Sequence, residues 1–271
     1  MDFLAALHKV ILSPRRAAVC ALLLPSLTLA SPVRAKDDDR FEIITGSKLL
    51  VGPTYNGSSR SEEIWRPIIE VWWNDTFFLS SERGVGFEVN PLPYETRLTA
   101  GFAIGPSFDD LDTEESELLT GLRSISNGIE LRTNWAWQVG ETGIALSSAK
   151  EISKRGHGGW LIELAGSQVF TPAERTELVL GAHAIWGSRR YARSLYSISV
   201  DEAGVSSLPA YELGSGIERL GGTIELTIEP KDGLIVSFEW ESSVLLGDVS
   251  RSPLVQTSNQ HEFGITALFT Y

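Results

Sequence analysis

Apolar residues occupy every second position near the end of the chain, at Phe263, Ile265, Ala267, Phe269 and Tyr271, with Glu262, Gly264, Thr266, Leu268 and Thr270 between them. A period of two, with one face apolar and the other mostly polar, is the pattern of a half-buried β-strand. The alternation recurs along the chain. In 234–246, Leu234, Val236, Phe238, Trp240, Val244 and Leu246 oppose Ser237, Glu239, Glu241 and Ser243. In 176–187, Leu178, Leu180, Ala182, Ala184 and Trp186 oppose Glu177, Gly181 and His183. Tyr94, Leu98, Ala100, Phe102 and Ile104 oppose Glu95, Arg97 and Thr99 in 94–105. Leu131, Trp135 and Trp137 oppose Glu130, Arg132, Asn134 and Gln138 in 128–138. Segments 41–51, 64–73, 142–151, 159–169 and 211–229 read as further strands. In the last, the apolar parity switches near Leu220-Gly221-Gly222, which predicts a glycine bulge. No helical period of 3.6 matches these in quality, so the chain reads as all-β.

Connection lengths then order the strands. Long polar stretches fall at 52–63, 106–127, 152–158, 188–210 and 247–259, and short turns at Asn74-Asp75, Pro91–Pro93, Val139–Glu141, Phe170–Arg175 and Pro230–Gly233. Thr76–Asn90 reads either as one irregular strand or as a hairpin turning at Glu82-Arg83-Gly84. Long loops on one side, short turns on the other and a last strand tipped by an aromatic residue resemble a bacterial outer-membrane barrel. The expected fold is a transmembrane antiparallel β-barrel of twelve strands, or ten without the hairpin, with both termini and the short turns in the periplasm. Phe263, Ile265, Phe269 and Tyr271 would form the assembly signal read by the barrel-assembly machinery. The tryptophans agree with this topology. Trp65, Trp160 and Trp186 fall on the outward face at the extracellular rim, and Trp73, Trp135 and Trp137 at the periplasmic rim. Trp240 is outward at mid-depth and Trp72 points inward. Two aromatic girdles suit a membrane barrel, whereas a soluble sandwich would bury its tryptophans in one core.

Lys9, Arg15 and Arg16 precede an apolar run from Ala17 to Ala30, followed by Val33-Arg34-Ala35. This predicts a secretory signal peptide over 1–35, leaving a barrel domain over 36–271. Its apolar run is broken by Pro25 and is too short for a membrane helix, and the residues after Arg15-Arg16 do not support twin-arginine export. Cleavage removes the single cysteine, Cys20, so the mature chain has no thiol chemistry. It also leaves 19 basic and 34 acidic residues, a formal charge of −15, which argues against nucleic acid as a partner.

Short motifs in the loops and turns follow one another over 52–271. They are Gly52-Pro53-x-Tyr55-x-Gly57-Ser58, Phe77-Phe78, Gly84-x-Gly86, Leu122-x-x-Ile125-x-Asn127-Gly128 and Gly156-His157-Gly158-Gly159. Tyr191, Tyr196, Ser207-Leu208-Pro209-Ala210-Tyr211, Gly214-x-Gly216, Leu246-Gly247-Asp248 and Ser252-Pro253-Leu254-Val255 complete the series. In order and spacing it resembles the MipA/OmpV family of outer-membrane proteins. Two departures are Ser197-Ile198-Ser199, where that family often has an aromatic and a glycine, and a final Tyr in place of the more usual Phe. The resemblance implies a non-enzymatic protein of the Gram-negative cell outer membrane. Some members join a lytic transglycosylase to a peptidoglycan synthase, and others are porin-like or adhesin-like. Lipid and lipopolysaccharide would surround such a barrel.

The polar faces list what would line the lumen: Arg66, Glu70, Glu95, Arg97, Glu130, Arg132, Asn134, Gln138, Glu163, Glu177, His183, Glu225, Glu239, Glu241 and Glu262. A barrel of intermediate size packs such groups as Glu–Arg pairs, which is the structural reading. A narrow cation-preferring pore is the functional alternative, because unpaired carboxylates attract cations. His157 in its glycine-rich loop would suit a third reading, an outer-membrane hydrolase, but no activated-nucleophile motif accompanies it. Asp109, Asp110, Asp112, Glu114, Glu115 and Glu117 form an acidic run that reads as a solvated loop, without the spacing of a calcium site. No catalytic, cofactor-binding or metal-ligating residue is assigned.

Overall fold

The structure, a computed structural model, describes residues 41–91, 97–109, 111, 113, 117–154 and 156–271. The signal peptide over 1–35, the segment Lys36–Arg40, Tyr94, Glu95 and most of the acidic run lie outside these residues. Twelve strands form one closed antiparallel barrel. They are β1 (Phe41–Pro53), β2 (Ser61–Trp73), β3 (Phe77–Ser80), β4 (Gly84–Val89), β5 (Arg97–Pro106) and β6 (Ile129–Val139). The rest are β7 (Thr142–Glu151), β8 (Trp160–Ala173), β9 (Thr176–Gly187), β10 (Gly216–Lys231), β11 (Leu234–Leu245) and β12 (Asn259–Thr270). Thr76–Asn90 contains the hairpin β3–β4, which decides twelve strands over ten. The barrel closes through β12 on β1, from Ile44 opposite Thr270 to Val51 opposite Phe263. Closure matters because lipid offers no partner to an open strand edge.

Alternation sets the two faces of the wall. Six of the eight tryptophans, Trp65, Trp73, Trp135, Trp137, Trp160 and Trp240, expose between 38% and 52% of their surface on the outer face, and Trp186 is half-buried there. Leu79, Val85, Ile104, Leu164, Phe263 and Ile265 are exposed beside them, while Trp72 is buried in the lumen. Large apolar side chains exposed around a closed barrel make the lipid-facing band of an outer-membrane protein. Tight turns join the strands at the periplasmic end. Asn74 and Asp75 take φ of 52° and 50°, the left-handed pair that a two-residue hairpin turn requires.

Three features differ from the sequence reading. The polar stretch 188–210 is not irregular throughout: it contains helices α1 (Arg189–Tyr196) and α2 (Val200–Ala203). Tyr191, Ala192, Leu195 and Tyr196 are buried on one face of α1, an i, i+1, i+4, i+5 spacing too short to stand out among the strands. The irregularity in β10 lies at Glu218, between the pairs Ile217–Trp186 and Arg219–Ile185, and not at Gly221-Gly222. The strand also starts at Gly216, so Leu213 belongs to the preceding loop. Finally, β2 pairs with β3 only over Glu70–Trp73, so along Ser61–Ile68 its ladder runs to β1 alone. Pro67, which has no N–H to leave unpaired, sits on that open flank, and its carbonyl accepts from the Ser81 hydroxyl.

The main apolar core sits at the extracellular mouth. Tyr55, Leu111, Leu119, Ile125, Tyr191, Leu195, Tyr196, Ile198, Leu213, Val249 and Leu254 pack there into one cluster drawn from all the long loops but 152–158. A smaller set of inward side chains, Trp72, Phe78, Ala103, Ile44, Ile235 and Leu268, narrows the lumen towards the periplasm.

Candidate functional site

The loops over the mouth are tied to one another by polar contacts around the apolar cluster. Tyr55 donates its hydroxyl to the Leu254 carbonyl, Ser252 donates to the Tyr196 carbonyl at 2.7 Å, and the Gly57 N–H donates to Gln260 Oε1 at 3.1 Å. Gly57 has φ of 102° and lies against Val255, so a side chain there would be strained and would collide with the next loop. Burial pushes the hydroxyls of Tyr191 and Tyr196 well above the usual phenol range, and the nearby negative charge of Glu218 adds to it. Both phenols are therefore held in the neutral form at neutral pH.

Beneath this plug lies a cavity of about 290 Å³, bounded above by Tyr55 and Tyr191 and reaching Phe78 and Ala136 below. Charged side chains at and around it form several pairs. Arg83 reaches Glu70 and Glu88, each at 2.7 Å, with its guanidinium 4.0 Å from the Phe78 ring centre. Lys48 pairs with Glu239 at 3.0 Å, and Arg132 with Glu130 at 3.0 Å. Arg132 also donates to the carbonyls of Glu82 and Pro106, fixing the base of the loop that follows β5. The sequence reading missed Lys48 and Arg83. Both faces of β1 carry apolar residues, which hides the inward parity of Lys48. Arg83 stood in a turn, but the β3–β4 hairpin is so short that its tip falls within the barrel.

At Glu218 the strand carries an extra residue, and both it and Arg219 face the cavity. A bulge places two successive side chains on one side of the wall, which regular pleating cannot do. Arg219 Nη2 donates to Asn56 Oδ1 at 2.7 Å in the first loop. Glu218 is 2% exposed, and neither of its carboxylate oxygens meets a hydrogen-bond donor among the described residues.

His157 is buried, with its Nε2 3.5 Å from Glu130, 3.8 Å from Glu151 and 4.0 Å from Asp109. Glu130 and Glu151 are directly opposite each other on β6 and β7 and are both buried. Asp109 is thus not the solvated loop residue that the acidic run predicts; it turns in toward His157. The donor atoms of Asp109, Glu130 and His157 lie within 4.8 Å of one another, close enough to share a metal ion. The tautomer opposes that use. His157 Nδ1 accepts the Gly159 N–H at 3.0 Å, so the proton of a neutral ring is on Nε2 and points at the carboxylates. A ring held this way donates and does not ligate, since metal-bound imidazole gives its other N–H to an acceptor. The glycines of 156–159 have a packing role: a Cβ at Gly156 would overlap Glu151, and one at Gly159 would overlap Tyr191. The hydroxyl of Ser194 donates to the carbonyl of His157, not to its ring, and no described serine hydrogen-bonds the imidazole. No nucleophile–base pair forms here.

The remaining lumen residues of the sequence reading take these places. Glu163 and Glu225 are buried, Asn134, Gln138, Arg66, Glu70, Glu177, Glu239, Glu241 and Glu262 are half-buried, and His183 faces Glu241 at 3.5 Å. Arg66 stacks on Phe108 at 4.3 Å. Arg97 belongs to β5, and Glu95 lies outside the described residues.

Several solved outer-membrane proteins are similar to this chain at low identity. An outer-membrane channel from Pseudomonas putida F1 is 10% identical, with 90% of this chain and 100% of that chain covered and a TM-score of 0.43. OprD from Pseudomonas aeruginosa is 12% identical, covering 87% of this chain and 66% of that chain at a TM-score of 0.37. OmpT of Vibrio cholerae is 9% identical, covering 87% and 99% at a TM-score of 0.35. No curated protein matches the sequence. The family model described as MltA-interacting protein MipA matches residues 46–271, all but the first strand's beginning and the segment before it. This outer-membrane barrel therefore belongs to the MipA family.

Proposed function

We propose that the protein is a non-enzymatic envelope scaffold whose periplasmic rim binds peptidoglycan-remodelling enzymes. The observation that carries this reading is apolar packing at two levels of the barrel, a loop cluster at the mouth and Ile44, Trp72, Phe78 and Ile235 towards the periplasm. A barrel built this way supports presentation of a surface better than passage of a solute. The family description, MltA-interacting protein, supports a lytic transglycosylase as the partner, and a peptidoglycan synthase would be the second enzyme joined to it.

The binding surface would be the periplasmic turns and the segment 36–40. Those turns carry Asp75, Glu141, Glu174 and Asp232 against Arg175 and Lys231, with Arg175 paired to Asp232, so the rim has a modest acidic excess and the complementary face of the partner would be basic. Charge at such a rim acts mainly on the rate of encounter. The test is surface plasmon resonance of a purified periplasmic lytic transglycosylase on the refolded mature barrel. Reversing Asp75, Glu141 and Glu174 to lysine together is expected to slow association about tenfold or more at low salt. Discrete single-channel currents from the folded wild-type barrel, with no enzyme retained at micromolar concentration, would overturn the scaffold reading. The second reading, a narrow cation-preferring channel, is favoured by the carboxylates around the cavity and predicts those currents.

A further inference from the structure

We infer that the cavity under the plug is a binding site for a small organic cation, an alkyl di- or polyamine, with Glu218 as its anchor. Nine carboxylate residues line this space against four arginines. The arginines have partners of their own, although Nε of Arg219 meets no acceptor among the described residues. Arg83 is held by Glu70 and Glu88, Arg132 by Glu130 and two carbonyls, Arg66 by the Phe108 ring and Arg219 by Asn56. Carboxylates thus outnumber basic groups on the cavity wall, which favours a cation over an anion.

The atoms without partners have the same bias. Both oxygens of Glu218 and Oε2 of Glu88 are buried and accept no hydrogen bond from the described residues. A buried carboxylate oxygen left without a donor costs more than one exposed to water, so a ligand rich in N–H donors would gain most here. The bulge in β10 is what aims Glu218 into the cavity, and bulges that re-aim a side chain are characteristic of binding sites. Glu218 also lies against Gly187 at the end of the neighbouring strand β9, where a Cβ would come within 2.8 Å of its carboxylate, so that strand is cut back to admit it.

The lining decides between an organic cation and a bare ion. Leu50, Ile64, Leu161 and Ile185 give apolar contact for methylenes, and the Tyr55 and Tyr191 rings offer faces to an ammonium group. A hard metal ion gains nothing from either, and the His157 tautomer removes the nitrogen ligand nearest the site. The inference is independent of the scaffold reading, since a ligand held under the plug does not require passage through the barrel.

The experiment is equilibrium dialysis of radiolabelled spermidine against the refolded mature barrel in detergent at low ionic strength, with folding verified by circular dichroism. One saturable site is expected, and Glu218→Gln is expected to weaken it about tenfold to a hundredfold. That variant keeps the shape and replaces a buried carboxyl whose oxygens meet no hydrogen-bond donor among the described residues, so it should fold about as well as the wild type. Glu241→Gln is a second lining variant with the same expected direction, and Glu174→Gln in a periplasmic turn is the control expected to change nothing. Competition separates the sources of affinity: 1,6-diaminohexane should displace spermidine well, and ammonium chloride at equal charge poorly. Absence of saturable binding, binding equal in the Glu218→Gln and Glu174→Gln variants, or displacement by ammonium chloride as effective as by the diamine would each overturn the proposal.

Discussion

At the extracellular mouth Tyr55, Leu119, Tyr196 and Leu254 come from four separate loops, whereas towards the periplasm Ile44, Trp72, Phe78 and Ile235 come from strands of the wall. The outer closure is made of segments with little ladder pairing of their own, held by side chains and a few loop hydrogen bonds. The inner closure is carried by strands whose backbones are paired. Elements with few backbone ladders open at lower cost than strands in a barrel. The outer plug is thus the adjustable end of the molecule and the inner narrowing the fixed one.

A conductance experiment breaks this comparison most sharply. Replacing 189–212 by a short Gly-Ser linker removes Tyr191, Leu195, Tyr196 and Ile198 from the outer closure, and Ile44→Ala with Trp72→Ala thins the inner one. Either change alone is expected to leave planar bilayers silent, and the combination to give cation-selective steps. Currents from the loop replacement alone would show that the wall residues do not seal. Next in size is Arg83→Ala, which strands Glu70 and Glu88 without their shared guanidinium. Loss of one partner from a buried ion pair costs about 3–5 kcal/mol, to be read from urea unfolding in lipid vesicles followed by tryptophan fluorescence. Arg83→Lys should recover only part, because an ammonium cannot reproduce the two-sided contact or the stacking on Phe78.

On the outer side, Gly159→Ala forces a Cβ into Tyr191 and should lift α1 from the β7–β8 loop, at about 1–3 kcal/mol. Protease cleavage within 188–210 should speed up while the barrel itself remains resistant. The smallest effect concerns pH. Burial pushes the pKa of the Glu202 carboxyl up, but hydrogen bonds from Ser199 and Arg123 outweigh it and hold the group below its ordinary 4.5. A depressed folded-state value stabilises above the ordinary one and is lost as pH falls through the depressed one. Hydrogen exchange at the Ser199 and Arg123 N–H groups should therefore accelerate only on acidification below about 4.5, and Glu202→Gln should remove that dependence.

The wall was legible because every strand that faces lipid must alternate, and a period of two survives without knowledge of any partner. Even the β3–β4 hairpin showed itself, through Glu82-Arg83-Gly84 between two short alternating runs. The plug was not legible. Tyr55, Leu119, Ile198 and Leu254 are isolated apolar residues in polar stretches, and only the closed barrel brings them together. The same holds for the cavity. Glu218 was assigned to no face because the parity switch in β10 was placed at the glycines, the residues usually found at bulges, when the extra residue is Glu218 itself. Asp109 and His157 are far apart in sequence, and their meeting depends on where the loop after β5 folds back.

The open flank of β2 gives the wall an uneven mechanical strength. Thirteen residue pairs join β1 to β2, but four join β2 to β3, four join β3 to β4, and five join β4 to β5. A ring under lateral tension yields where the fewest rungs must break, and here that is a single sector between β2 and β5. Bilayer stress, or the strain of inserting into a membrane, would concentrate there while the remaining seams stay shut. Pro67 on the exposed flank keeps that sector from recruiting another strand, so the weak seam can flex without becoming sticky.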